Sequence, residues 1–145
     1  MLDDLVAAIN RMLPEAPYPY RTGFVQTAPW LALLSAALGL ILGGRYAPLI
    51  DAVTALANGY APNLLGLLYG LTPILALVSI PGLRSQAKWG WILFTLSVLI
   101  DFLISLLFLV LTLSFNLLFS LLFDAIILYY LLQSYSEYGR RYWRR

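Results

Sequence analysis

The chain has 145 residues, of which 61% are hydrophobic and only 11% are charged, with a formal net charge of +2. Soluble domains carry about 25% charged residues, so this composition cannot cover a water-facing surface and predicts an all-α integral membrane protein. At about 20 residues for each span, the length allows four transmembrane helices and no separate soluble catalytic domain.

Two residue types are missing from the sequence, Cys and His. Their absence excludes disulfides, thiolate metal sites and the commonest general base. We therefore expect no enzymatic activity and no metal site. No cofactor is predicted, although a pigment held by an Asn, Gln or backbone oxygen, or a bound lipid, stays open.

Residues 2–13 form a predicted amphipathic helix that ends at Pro14. Its apolar face consists of Leu2, Leu5, Val6, Ile9 and Leu13. About three turns are too few to cross a bilayer, so we expect the helix to lie on the membrane surface or to dock on a partner. Pro14, Pro17 and Pro19 predict an extended connector after it.

The first and second predicted spans, residues 29–44 and 63–80, carry small residues every three or four positions. These residues are Ala32, Ser35, Gly39 and Gly43 on the first span, and Gly66 and Gly70 on the second. Small residues let helices approach closely in lipid, so we expect these two helices to pack on each other, with docking on another subunit as the alternative. Pro73 should kink the second span, and Pro81 with Gly82 should end it.

Residues 48–57, between these spans, form a second predicted surface helix. Pro48 suits its first turn, and Asn58 with Gly59 marks its end. Tyr46 and Tyr60 flank the segment, and tyrosines at such positions commonly lie at the headgroup level. We therefore expect an interfacial helix here.

Residues 89–112 and 116–135 form the third and fourth predicted spans, which make a hairpin. Trp89 and Trp91 open the third span and are expected to anchor it among the lipid headgroups. Residues 136–145 form a basic tail, and we expect its arginines to bind anionic lipid. These arginines are Arg140, Arg141, Arg144 and Arg145. Nucleic-acid binding is not expected, because no folded module accompanies the tail.

The distribution of basic residues predicts the orientation. With four spans, every Lys and Arg except Arg45 falls on one side, and the positive-inside rule then places both termini in the cytoplasm. Gly82 and Leu83, the segment 88–91 and the segment 128–132 resemble small bacterial four-span membrane proteins. The likeness covers only the second half and implies no activity. We expect a bacterial inner or intracytoplasmic membrane.

Asp101 and Asp124 are the acidic residues of the third and fourth spans, and no Lys or Arg lies inside either span. In a hairpin both lie about 11 to 12 residues from the turn, which at 1.5 Å per residue is roughly 17 Å and close to mid-membrane. An ionisable residue at that depth is a functional-site candidate. Further polar residues lie at intervals of four on the same helix faces as the two aspartates. Ser97 and Ser105 share a face with Asp101, and Asn116 and Ser120 share a face with Asp124. The sequence predicts one buried polar seam between the two helices.

This seam permits two interpretations. We favour a hydrogen-bonded acid pair that holds helices together, and the alternative is a proton or cation site. Burial and a like charge both disfavour two ionised carboxylates, so we expect the pair to hold at least one proton, bind a cation or meet a basic residue of another subunit.

The predicted function is a non-catalytic accessory or scaffold subunit of a larger bacterial membrane protein complex. The alternative is a small proton- or cation-translocating transporter or channel component that uses Asp101 and Asp124. The expected partners are membrane lipids and other integral membrane subunits, with no nucleic acid and no soluble small-molecule substrate.

Overall fold

The structure is a computed structural model that describes residues 2–42, 46–112 and 115–138, and the regular secondary structure within these ranges is helical. The helices are α1 (Leu2–Met12), α2 (Tyr18–Ala37, continued by a π-helical turn Leu38–Leu42), α3 (Tyr46–Ala57), α4 (Leu64–Arg84), α5 (Lys88–Thr112) and α6 (Phe115–Ser134), followed by a 3-10 turn at Tyr135–Glu137. In the described part of the chain, four segments are long and apolar enough to cross a membrane: Tyr18–Ile41, Leu64–Arg84, Lys88–Leu111 and Leu118–Glu137. The predicted all-α class with four such helices is confirmed.

The first long helix begins at Tyr18, eleven residues before the predicted start at Pro29. Pro19 lies in its first turn, where the missing N–H has no intrahelical acceptor and the fixed φ angle suits a helix. The prediction of an extended connector through Pro19 was therefore wrong, because this proline starts a helix. Gly43, at the predicted end of the span, lies outside the described residues.

The second long helix continues through Pro81 and Gly82 to Arg84, so the prediction that these two residues end it was wrong. The helix ends instead in a Schellman turn: Gln86 has a φ of 55°, its N–H donates to Leu83, and the N–H of Ala87 donates to Gly82 at 2.8 Å. The turn satisfies carbonyl groups that a helix end leaves open, and it leads directly into α5.

α4 is the central helix, since it packs against α2, α3 and α5. On α2 the packing face consists of alanines that are fully buried, namely Ala28, Ala32 and Ala36, and α4 contributes Ala76 and Ser79, which are also fully buried. Among the other small residues of the predicted grooves, Gly39 and Gly70 are buried, whereas Ser35 and Gly66 are partly exposed. The small-residue faces of the two helices are thus largely used inside the chain.

α4 and α5 approach each other very closely at a pair of glycines. A Cβ atom added to Gly90 would lie 2.3 Å from the carbonyl carbon of Gly82, and one added to Gly82 would lie 2.6 Å from the Cα of Gly90. Real side chains do not tolerate such distances to backbone atoms. Only glycine at both positions permits this close approach.

The N-terminal helix packs on its own chain. Val6 of α1 is 2% exposed and belongs to the hydrophobic core, together with Trp91, Phe94 and Leu131. The apolar face of α1 thus turns towards α5 and α6. The sequence pattern predicted this face but did not show what it packs against. Its position relative to a membrane surface stays a prediction.

Candidate functional site

Three buried polar residues meet between the middle of α4 and the middle of α5, and we call them the polar cluster: Thr72, Ser97 and Asp101. The Thr72 hydroxyl donates to the Asp101 carboxylate at 3.1 Å, and the Ser97 hydroxyl donates to the Thr72 carbonyl at 2.8 Å. The exposed fractions of Thr72, Ser97 and Asp101 are 0%, 2% and 6%. The cluster therefore links the middle of α4 to the middle of α5 away from the surface.

The proline that follows Thr72 explains part of this geometry. Pro73 has no N–H, so the carbonyl of Tyr69, four residues earlier, loses its usual helical donor. The Thr72 hydroxyl lies 3.0 Å from that carbonyl and 3.1 Å from Asp101. A hydroxyl carries a single proton, so it serves one of these two acceptors at a time.

A cavity of about 380 Å³ opens beside the polar cluster, and we call it the polar cavity. Its lining is mostly apolar, and its four polar side chains come from three helices: Asn63 at the N-cap of α4, Tyr69 of α4, Ser105 of α5 and Ser120 of α6. Tyr69 precedes Thr72 by three residues and Ser105 follows Asp101 by four. The inner wall of the cavity therefore lies about one helical turn, roughly 5 Å, from the polar cluster.

The structure divides the predicted seam between these two places. Ser97 and Asp101 belong to the polar cluster, whose partner on α4 the sequence did not indicate, while Ser105 and Ser120 line the polar cavity. Asp124 lies on α6 one turn beyond Ser120 and is partly exposed. The side chain of Asn116 lies outside the described residues. A face-to-face arrangement of the two aspartates stays a prediction.

Thr72 is the main residue that sequence reasoning missed. The signal was present, since a hydroxyl residue directly before a proline inside a span can satisfy a carbonyl that the proline leaves without a donor. The sequence-based prediction compared only the depths of residues on the two helices of the hairpin, α5 and α6. It therefore could not find a partner on α4.

A second polar group fastens α1 and the following connector to the end of α6. The amide of Gln133, which is 4% exposed, lies at 3.5 Å from Asn10, from the carbonyl of Pro14 and from the N–H of Ala16. Shorter bonds support it: Asn10 donates to the Leu132 carbonyl at 2.9 Å, and Tyr129 donates to the Pro14 carbonyl at 2.7 Å. This group satisfies polar atoms of the connector and fixes α1 on the helix bundle.

The predicted headgroup anchors differ in position. Trp89 is 47% exposed, but Trp91 is only 2% exposed, and its indole N–H donates to the Leu131 carbonyl at 2.7 Å. Residues two apart on a helix point in nearly opposite directions, so one tryptophan faces outward and the other faces the core. Trp91 is therefore a core residue and not a headgroup anchor. The predicted anchors Arg140, Arg141, Arg144 and Arg145 lie outside the described residues.

Among the residues that the structure describes, no group of three or more His, Cys, Asp or Glu side chains could hold a metal ion. Comparisons of the chain with protein-family models, curated proteins and solved structures find no match. Over the ranges that the structure describes, the chain is all-helical, and four of its helices are long and apolar enough for a multi-pass membrane protein.

Proposed function

We propose that this chain is a non-catalytic accessory or scaffold subunit of a larger bacterial membrane protein complex. The observation that carries the proposal is the way in which the buried polar side chains are used. Thr72, Ser97 and Asp101 hydrogen-bond across α4 and α5, and Gln133 bonds to the α1 region. Hydrogen bonds of this kind hold helices together in lipid, where apolar contact alone gives no hydrophobic drive.

The packing of the small-residue faces refines this proposal. Because Ala32, Gly39 and Gly70 are buried within the chain, a partner subunit would contact mainly the larger apolar side chains of the surface. Such side chains are abundant on the outer faces of the long helices, as for Leu34 at 50%, Val78 at 51% and Phe119 at 77% exposure. Lipid or neighbouring helices are the surroundings that suit these faces.

Purification in a mild detergent tests the subunit proposal. A chain tagged at its N-terminus and expressed at native level should bring down other integral membrane proteins in a fixed ratio, measured by quantitative mass spectrometry. A tagged membrane protein of similar size and abundance serves as the control for adventitious capture. Recovery of a chain with no stoichiometric protein partner would reject the proposal.

The alternative function is proton or cation translocation, and a specific observation favours keeping it. The polar cavity ends about one helical turn from the Asp101 carboxylate, which would give a proton or hydrated cation a short path to a buried acid. In liposomes, Asp101→Asn and Asp124→Asn should then abolish flux driven by a pH or cation gradient. Asp51→Asn, which changes an exposed acid on α3, should not. Wild-type liposomes without flux would reject this alternative.

We further propose the orientation with both termini in the cytoplasm of a bacterial cell, in the inner or an intracytoplasmic membrane. The clustering of basic residues supports it. The natural sequence has no Cys, so single cysteines can be labelled without background. Ser85→Cys should react from the cytoplasmic side and Asn58→Cys from the opposite side, since both positions are exposed. The reverse pattern would refute the orientation.

A further inference from the structure

A groove runs along the interface of α2 and α4, at the end of α4 where Arg84 lies. It consists of two adjoining cavities of about 250 Å³ and 100 Å³, which share Pro29, Trp30 and Arg84 as lining residues. We call it the α2–α4 groove. It is separate from the polar cluster and from the polar cavity, which lie on the α5 side of α4.

One end of the groove is polar and carries a positive charge. The side chains of Gln26, Arg84 and Gln86 line this end. Arg84 and Gln26 are exposed and Gln86 is partly exposed. Within the described part of the chain, none of these three side chains takes part in a hydrogen bond or an ion pair. An unpaired guanidinium beside two free amides offers a set of donors suited to a phosphate group.

The other end of the groove is apolar. Trp30 and Leu33 of α2, exposed to 67% and 42%, and Ile80 of α4 line it. Along α2, Gln26, Trp30 and Leu33 follow each other at helical spacing, and on α4 Ile80 lies one turn from Arg84 towards the middle of the helix. The stripe from Gln26 to Leu33 is about 10 Å long at 1.5 Å per residue. A charged end followed by an apolar stripe has the polarity of a phospholipid.

We propose that the α2–α4 groove binds one anionic phospholipid. Its phosphate lies against the Arg84 guanidinium, with the amides of Gln26 and Gln86 as further donors. One acyl chain follows Trp30, Leu33 and Ile80 towards the middle of the bundle. Charge selects an anionic lipid, because the groove supplies a cation and no acidic side chain among its lining residues.

Native mass spectrometry of the full-length protein in a mild detergent, titrated with phosphatidylglycerol, tests this site. We expect one tightly retained anionic lipid per chain and weaker retention of phosphatidylcholine. Arg84→Gln should weaken phosphatidylglycerol binding about tenfold, as expected when a charge-assisted bond is lost. The matched control is Lys88→Gln. It removes the same charge four residues along the chain, at the start of α5. The Lys88 ammonium lies 5.2 Å from the centre of the Tyr135 ring, and Lys88 lines neither cavity.

A second variant protects the test against misfolding. Gln86→Gly removes a donor from the groove at a φ of 55°, a conformation that glycine adopts without strain, so the turn should be retained. It should weaken lipid retention about threefold, less than Arg84→Gln does, because it removes one partly exposed amide donor to the phosphate and no charge. Unchanged retention in both groove variants, or equal losses in Arg84→Gln and Lys88→Gln, would overturn the proposal. Equal competition by soluble glycerol phosphate would also overturn it, because the acyl chain would then contribute nothing.

Discussion

The glycine crossing of α4 and α5 gives the sharpest stability prediction, the substitution Gly90→Ala. The new methyl carbon would lie 2.3 Å from the Gly82 carbonyl carbon, 2.4 Å from the Leu83 nitrogen and 2.5 Å from the Gly82 Cα. All three are backbone atoms, and ordinary contact begins near 3.4 Å. The helices must therefore separate locally by roughly 1 Å, because a rotamer change cannot relieve the overlap.

The expected cost follows from the surrounding contacts. Overpacking of a close-packed interior costs about 1 to 3 kcal/mol, and backbone overlap belongs at the upper end of that range. Separation would also stretch the 2.8 Å bond from the Ala87 N–H to the Gly82 carbonyl, which joins the start of α5 to α4, a loss of about 1 kcal/mol. Replacing glycine by alanine in a helix returns a similar amount, about 0.5 to 1 kcal/mol. We expect a net destabilisation of about 2 to 3 kcal/mol.

Unfolding by SDS in mixed micelles, followed by circular dichroism, measures this free energy. The matched control is Gly23→Ala on α2, where an added Cβ would meet no atom within 4 Å. Gly23→Ala should leave stability unchanged or raise it by up to about 1 kcal/mol, through helix propensity alone. If Gly90→Ala unfolds at the same SDS fraction as Gly23→Ala, the close approach of the two helices is wrong.

Three further substitutions address single side chains in the same micelles. Thr72→Val removes the donor to Asp101 and should lower the free energy of unfolding by about 1 to 2 kcal/mol, near the upper range of measured interhelical bonds. An unchanged free energy of unfolding would show that the polar cluster does not stabilise the fold. Gln133→Leu deletes the bonds to Asn10 and Pro14, so it should raise the rate of amide hydrogen exchange in α1 while α5 stays protected. Equal exchange rates in the variant and wild type would contradict the role of Gln133 in holding α1 on the bundle. Tyr138→Phe removes a buried hydroxyl with no partner among the described residues, so stability at neutral pH should be unchanged or slightly higher. Burial raises the pKa of Tyr138, so above the unfolded pKa of about 10 the hydroxyl ionises more readily in the unfolded chain than in the folded one. Wild type should therefore lose stability as the pH rises past about 10, and the Phe variant should lose less. Parallel pH profiles of stability for the two proteins would contradict this.

Hydrophobic length made the four long helices predictable, because about 20 consecutive apolar residues leave few alternatives. The starts and ends that failed all involve proline. Pro19 begins a helix and Pro81 lies within one, since the position of the missing N–H decides whether proline starts, kinks or ends a helix. The end of α4 depends instead on the left-handed conformation of Gln86, a residue that rarely signals such a turn.

The candidate site was predictable only in part, for a reason that lies in tertiary packing. Spacing by four placed Ser97 and Asp101 on one face of α5, and they do lie together. Which helix covers that face depends on the approach of Gly82 to Gly90, a feature that periodicity does not encode. The same limitation affects Trp91, whose burial follows from the position of α6 and not from its own neighbours in sequence.

The two proposed functions place opposite demands on Asp101, and this makes one substitution decisive. A scaffold needs an acceptor for the Thr72 hydroxyl, and the amide oxygen of Asp101→Asn supplies one of nearly the same shape. A translocator needs a group that gains and loses a proton or binds a cation, which an amide does not do. Asp101→Asn should therefore keep its stability and its protein partners if the polar cluster is structural, whereas Asp101→Leu, which has no acceptor, should lose about 1 to 2 kcal/mol. If Asp101→Asn folds normally, keeps its partners and yet abolishes ion flux in liposomes, the carboxylate acts in transport and the scaffold proposal is insufficient.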